Sequence, residues 1–346
     1  MRVVVTGVTG FIGSHFAERA LAEGHEVAGI CNSGGVDKLA LRESLLAQGA
    51  KLFEGDVLDA ESLRPAMEGA HCVCHFAAAF RESGFSDERF LDVNGKGTAN
   101  VVDVAAAAGV RRLVFCSTAG IYGQRVDGMI DEDSPRRPWN VYERSKIQAE
   151  EILRDRTRAH DMEYVILRPT AVYGPRDQRL RKLFKSAAKG RFPLFGAGKG
   201  RRHMVYVTDL ADAFLRACLR PQAASQEMIV AGPEAVPLRR LLEQLATVVQ
   251  RPSCGPRLPL RPMQWLSAVV EDVSKLMKIR PPLYRRRMDF YTNDAEFSTT
   301  RAQIVLGWRP KIPLQKGLAL THRSYGEIKP PAVVRNRTEL EKNARS

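Results

Sequence analysis

The sequence holds no run of roughly 18 or more consecutive apolar residues, so no membrane-crossing helix is expected. Its first apolar run is short and gives way at once to glycines, which is not the pattern of a secretory leader, and a cytoplasmic location is expected. Cysteine is sparse and scattered, at positions 31, 72, 74, 116, 218 and 254. Cys72 and Cys74 flank Val73, with His75 beside them, but no second pair stands at the spacing a metal centre needs. Reduced, buried thiols and no metal are the expectation. An RNP signature and a zinc finger are both missing, which argues against ordered nucleic-acid recognition.

Negative charge is scarce in one half only. Residues 1–160 carry 19 Lys and Arg against 23 Asp and Glu, whereas residues 161–346 carry 34 against 16. The formal charge of +14 therefore belongs to the second half. Such asymmetry suggests an anionic partner there: a phosphorylated substrate, a membrane surface or nucleic acid. The plainer reading is a solvated basic surface. At 346 residues, the chain has room for one large domain or two smaller ones.

What the sequence does have is concentrated first in Met1 to Gly13. Val3, Val4 and Val5 read as a strand buried on both faces. Gly7, Gly10 and Gly13 follow at three-residue spacing, then a helical stretch from Phe11 to Ala22. Strand, glycine turn and helix set a helix N-terminus against a phosphate, and a Cβ at the glycines would obstruct the turn, the pyrophosphate or the packing. Strands at 26–30, 51–54, 72–76, 113–117 and 164–167 alternate with helices at 36–48, 61–67, 86–108 and 141–160. This order predicts an α/β fold: a Rossmann-type doubly wound parallel sheet with a smaller C-terminal α/β substrate lobe. The dinucleotide-binding domain is expected over 1–168, its sheet completed by part of 203–232. The substrate lobe is expected mainly over 169–326, with helices at 238–249, 263–277 and 300–306, and 327–346 as a disordered tail.

Tyr142 and Lys146 stand four apart in YERSK, on one face of a predicted helix. A nearby ammonium favours the phenolate, and a tyrosine so tuned can take a proton from an alcohol or return one to a ketone.

With TGVTGFIG at 6–13, GDV at 55–57, HFAA at 75–78, VNGKGT at 93–98, CSTAGIYG at 116–123, YERSK at 142–146, LRPTAVYGP at 167–175 and RRHMVYVTDLADA at 201–213, the chain resembles the extended short-chain dehydrogenases/reductases of the NAD-dependent epimerase/dehydratase type. The resemblance covers about residues 1–325. It implies that Tyr142 is the acid/base, that Lys146 holds the ribose and lowers the tyrosine pKa, and that Thr118 orients the substrate oxygen. It implies cofactor contacts at Gly7, Gly10, Phe11, Ile12, Gly13, Asp56, Val57, Ala77, Ala78, Asn94, Ser117 and Pro169, besides Tyr142 and Lys146. Asp56 and Val57 would meet the adenine, and the two alanines would line the cofactor channel. Family members often pair through two long helices, here 86–108 and 141–160, so a homodimer is implied.

Departures from the pattern carry information. No acid follows the second strand until Asp37, and no arginine stands there for a 2′-phosphate, so NAD and NADP both remain open, with Asn32 and Ser33 as ribose contacts. Sugar 4,6-dehydratases place Asp-Glu after the catalytic threonine; here Ala119-Gly120 leaves no acid for elimination. What remains is hydride transfer at one carbon. The expected activity is that of a nucleotide-sugar epimerase or reductase, with Ala171 and Arg202 beside the substrate together with Thr118. Ala171 replaces an asparagine that contacts the diphosphate in many nucleotide-sugar enzymes, while Arg202 matches an arginine used on phosphates. Two alternatives are kept. One is a hydroxysteroid dehydrogenase-like or dihydroflavonol reductase-like enzyme; the other is a non-catalytic cofactor-sensing or RNA-binding protein. Trp265, Leu266, Val269, Val270, Val273 and Leu276 form one apolar helical face ahead of Arg285, Arg286 and Arg287. That face is expected to pack on the second lobe, with cover for an apolar substrate or contact with an anionic membrane as the other readings.

Overall fold

The structure, a computed structural model, describes residues 1–32, 38–80, 86–123, 125–277 and 291–326. Ser33, Asp37, Arg285 to Arg287 and the tail 327–346 lie outside the described residues.

Val3 and Val5 point to one side of the first strand and Val4 to the other, and all three are fully buried, as a strand covered on both faces requires. This strand, β1 (Arg2–Thr6), lies at the centre of a seven-stranded sheet. The sheet runs in the order β11-β7-β5-β4-β1-β2-β3. Its other members are β2 (Glu26–Cys31), β3 (Lys51–Glu54), β4 (Cys72–His75), β5 (Arg112–Cys116), β7 (Glu163–Pro169) and β11 (Gln226–Val230), and every pairing is parallel. The chain order reverses between β1 and β4, which opens a crevice at their C-terminal ends.

Helices α1 (Phe11–Ala22) and α8 (Val207–Leu219) cover one face, through Phe16, Phe214 and the buried indole of Trp308. Helices α3 (Ala60–Met67), α5 (Gly97–Ala107) and α6 (Val141–Ala159) cover the other; α2 (Leu39–Ala47) flanks the β2–β3 edge.

The single helix expected over 86–108 is interrupted. It begins as α4 (Asp87–Leu91), passes through a π-helical turn (Asp92–Lys96) and continues as α5. No proline marks the interruption; the extra residue in the turn is accommodated by contacts that sequence periodicity does not record.

Beyond Pro169 the chain builds a second lobe. Its sheet pairs β10 (Arg201–Tyr206) with β8 (Ala171–Tyr173) and β12 (Ala235–Pro237). Around it stand α7 (Gln178–Ala188), α9 (Leu238–Val248) and α12 (Leu314–Ser324), sharing a core of Phe184, Leu241, Leu245, Leu314 and Leu318. Two short pairs complete the fold: β9 (Leu194–Phe195) with β13 (Arg257–Leu258), and β6 (Arg125–Ile130) with β14 (Asp294–Phe297). The lobes are interleaved in sequence. α8 and β11 return to the first sheet, as does α11 (Thr300–Leu306), whose Ala302 and Leu306 join the core on that face.

Helix α10 (Leu260–Leu276) corrects an expectation. Four of the six arc residues do not pack on the lobe: Trp265 is 69% exposed, Leu266 41%, Val269 38% and Val273 49%, while Val270 is half-buried and the Leu276 side chain lies outside what is described. The buried side instead carries Ser267 and Ser274, two turns apart, whose small side chains permit close approach.

Candidate active site

The glycine turn is shaped by contacts that leave no room for side chains. Gly7 sits at φ +67°, its N–H donating to the Ile30 carbonyl at 3.0 Å, and Gly10 N–H donates to the Gly7 carbonyl at 2.8 Å. A Cβ on Gly13 would lie 2.3 Å from the Gly7 oxygen, and one on Gly7 would lie 2.9 Å from the Ala77 nitrogen. The turn is therefore pressed against both α1 and the Ala77–Ala78 segment after β4. No side chain caps α1 at Gly10, so the N–H groups of its first turn, including Phe11, Ile12 and Gly13, are left without a capping acceptor.

A buried polar chain runs from this turn toward α6. The Thr6 hydroxyl is 2.6 Å from His75 Nδ1, and His75 Nε2 is 3.2 Å from the Thr98 hydroxyl. Thr98 donates its own proton to the Asn94 carbonyl at 2.6 Å, so Nε2 must carry the ring proton and Nδ1 must accept from Thr6. Burial holds the His75 pKa down to about 3, consistent with a neutral ring. Asn94, placed by the π-turn, accepts from Ala79 N–H at 2.8 Å and donates to the Ala79 carbonyl and the Ser145 hydroxyl. It thus clamps the segment after β4 against α6.

Helix α6 starts at a firm cap. The Asn140 side chain accepts from Glu143 N–H at 3.1 Å, while Glu143 accepts from the Asn140 amide at 2.7 Å and from Trp139 N–H. The cap puts Tyr142 in the first turn, half-buried, with the Phe80 ring edge-on at 4.9 Å. One turn on, Lys146 is buried; its ammonium donates to the Cys116 carbonyl at 2.7 Å and lies 4.3 Å over the Phe115 ring. Burial lowers its pKa to about 8. Lys146 therefore ties the Tyr142 helix to the end of β5, where Thr118 caps a short 3-10 turn (Ala119–Tyr122) and accepts from Gly120 N–H at 3.1 Å.

Other expected residues are more dispersed. Asp56 is exposed and closes its own loop by accepting from Leu58 N–H; Val57 is buried against Gly97. Asn32 is exposed at the end of β2 and accepts from the Lys38 ammonium at 3.2 Å. Pro169 ends β7, and Ala171 is exposed at the start of β8. Arg202 is buried on β10, donating to the carbonyls of Arg201 and Asn293. Burial pulls its pKa down to about 10. Ser117 donates its hydroxyl to Glu150 at 2.6 Å inside the core, a buried carboxylate already paired with Arg168.

Sequence reasoning missed three residues. Phe80 touches both Tyr142 and, at 5.6 Å from its ring, the Arg179 guanidinium, so it bridges the lobes across the cleft. Thr170 follows Pro169, and its buried hydroxyl has no hydrogen-bond partner among the described residues. His75 was legible as part of HFAA, but its role in the chain was not.

The family model for the NAD-dependent epimerase/dehydratase family matches residues 3–232. The chain belongs to that family. Members are enzymes, and the non-catalytic alternative is set aside. The UDP-glucose 4-epimerase of Mycolicibacterium smegmatis is 30% identical over 334 residues, covering 93% of this chain and 97% of that one. The N-acetyl-alpha-D-glucosaminyl-diphospho-ditrans,octacis-undecaprenol 4-epimerase of Escherichia coli O157:H7 is 31% identical over 229 residues, 65% of each chain. The solved UDP-glucuronic acid 4-epimerase of Bacillus cereus, in complex with UDP-glucuronic acid and NAD, superposes with a TM-score of 0.76 at 20% identity, covering 94% of this chain and 99% of that one; it shares the fold.

The residues present fit the family's dinucleotide. The glycine turn is a cradle that a Cβ would close, the α1 N-terminus offers uncapped donors, and the orphaned Thr170 hydroxyl lies just past β7. The end of β2 offers a ribose an amide and, through Lys38, an ammonium, where NAD-selective members carry an acid.

Proposed function

We propose that this protein is an NAD(P)-dependent epimerase acting at a secondary alcohol of a nucleoside-diphosphate sugar. The observation that carries the reading is the capped start of α6, locked by Lys146 to the end of β5, which sets Tyr142 at the cleft beside the Thr118 turn. The nicotinamide, when bound, accepts and returns the hydride. Tyr142 takes the hydroxyl proton as the alcohol is oxidised and gives it back on reduction, Thr118 orients the same oxygen, and Lys146 favours the phenolate. Gly7, Gly10, Phe11, Ile12 and Gly13 would hold the pyrophosphate, Asp56 and Val57 the adenine, and Asn32 the ribose. Ala77, Ala78, Pro169 and Thr170 would line the nicotinamide end, with Asn94 as the positioning residue beneath them. Arg202, a cation whose burial a substrate phosphate would offset, is assigned to the diphosphate, near Ala171.

Ala119 and Gly120 supply no acid for elimination, which favours epimerisation over dehydration. The named relatives favour a diphosphate-borne sugar over steroid-like or flavonoid-like ketones. A second reading, a sugar diphosphate carried on a lipid, is favoured by one observation, the exposed apolar arc of α10. A homodimer through the outer faces of α5 and α6 belongs to the same proposal.

Incubation with NAD or NADP and a panel of UDP- and dTDP-sugars, read by anion-exchange chromatography, tests it. Conversion of one sugar into its epimer is expected. No conversion of any diphosphate sugar, alongside net oxidation of a simple alcohol, would sink it.

A further inference from the structure

The surface of the second lobe combines two features that the proposed chemistry does not use. The first is the arc on α10. Trp265, Val269 and Val273 succeed one another at four-residue spacing, with Leu266 alongside and Met277, 62% exposed, just beyond the helix. A helix of 17 residues that turns a tryptophan and three aliphatic side chains to solvent, while burying serines, has its hydrophobic face outward. Of its acids, Glu271 lies off this arc and Asp272 stands at its edge, seven residues after Trp265.

The second feature is charge. From Gln178 to Thr208 the chain has nine Lys and Arg and no Asp or Glu. Arg179 and Arg201 are engaged with acids of the protein. Arg181, Lys182 and Lys185 are exposed on α7, and Lys189 at its C-cap, away from the buried stripe of Leu180, Phe184 and Ala187. None of these four forms an ion pair with an acid among the described residues. The two features are joined structurally: α7 leads into β9, which pairs with β13, and β13 leads into α10 through exposed Arg257, Leu258 and Arg261. Leu260, in the first turn of α10, packs over Gly196 just after β9.

We propose that this lobe docks on an anionic phospholipid bilayer, with the α10 arc entering the interface and the α7 cations meeting the headgroups. The occupant is argued from charge complementarity. An apolar arc alone would suit any apolar partner, but an adjoining acid-free stretch with unpaired surface cations selects a surface of negative charge, and a tryptophan beside aliphatics suits the headgroup boundary. The docking rests on neither reading of the substrate.

The test is flotation of the full-length protein with vesicles of phosphatidylcholine alone, or about three parts phosphatidylcholine to one part phosphatidylglycerol. Binding to the anionic vesicles only, released by high salt, is expected. In a Trp139→Phe protein, where Trp308 is buried, Trp265 emission should shift to the blue on binding. Trp265→Ser with Val273→Ser should abolish flotation, and Lys182→Glu with Lys185→Glu and Lys189→Glu should weaken it by roughly a hundredfold, at about fivefold for each lysine lost. Unchanged soluble-substrate turnover in both variants would show that they remain folded. Absence of flotation on anionic vesicles, or equal flotation of the serine variant, overturns the proposal. So does self-association in solution that the serine variant abolishes, which would assign the arc to a second copy of the chain.

Discussion

On the proposed reading Tyr142 is where the chemistry is decided, and its surroundings are built from the chain's own contacts. Tyr142→Phe removes the proton-transfer group and keeps the ring that meets Phe80 edge-on. Turnover should fall by roughly a hundredfold to ten-thousandfold, while cofactor affinity, read by fluorescence titration, stays within a few-fold. His75 makes a separate prediction. Its ring is neutral with the proton on Nε2, so nitrogen NMR should show that tautomer unchanged well below pH 6.5. Its folded pKa of about 3 lies below the unfolded value near 6.5, so the unfolded chain takes up the proton first. Stability from this group is complete above pH 6.5 and lost as pH falls toward 3, at up to about 1.4 kcal/mol per pH unit. A His75→Phe protein, if it folds, should show a shallower acid limb in urea titrations.

Among the elements, the β1 turn and α1 act as one unit. Gly13→Ala would drive a methyl into the Gly7 carbonyl and move α1 off the turn, so cofactor binding should be lost while urea unfolding still shows one cooperative transition. A variant that binds cofactor normally would remove the turn from the site. Much at this scale was legible from residue pattern. The valine run gave β1, Lys51–Glu54 matched its strand, and α6 was bounded to within a residue because a period of 3.6 persists over five turns. The π-turn was not legible, since one inserted residue barely disturbs the periodicity of Ala-rich helix around it. Strands β6, β8 and β10 were missed because they are short or polar and gain their order from partners far along the chain. The α10 helix was legible as an amphipathic segment, but periodicity says which residues share a face and not which way that face turns.

Across the whole molecule, distance in sequence hid the contacts that tie late segments of the chain into the first sheet. Cys72, Cys74 and Cys218 have sulfurs within 4.8 Å of one another, a cluster invisible to spacing because α8 brings the third from the far half of the chain. The Arg168–Glu150 pair, fully buried, similarly joins β7 to α6, and through Glu227 reaches β11. Glu150→Ala would strand a buried guanidinium and also release Ser117, and should destabilise the protein by roughly 3–5 kcal/mol, read as a lower urea midpoint. Cofactor turn, capped helix and second lobe are thus parts of one frame, whose central claim is reversible oxidation at a single sugar carbon. The most direct measurement uses a UDP-sugar deuterated at C4, with product analysed by mass spectrometry and NMR. The account predicts an epimer that keeps its deuterium at C4, with no net build-up of reduced cofactor. Deuterium lost from the sugar into the cofactor pool, or a keto product accumulating in step with reduced cofactor, would contradict it.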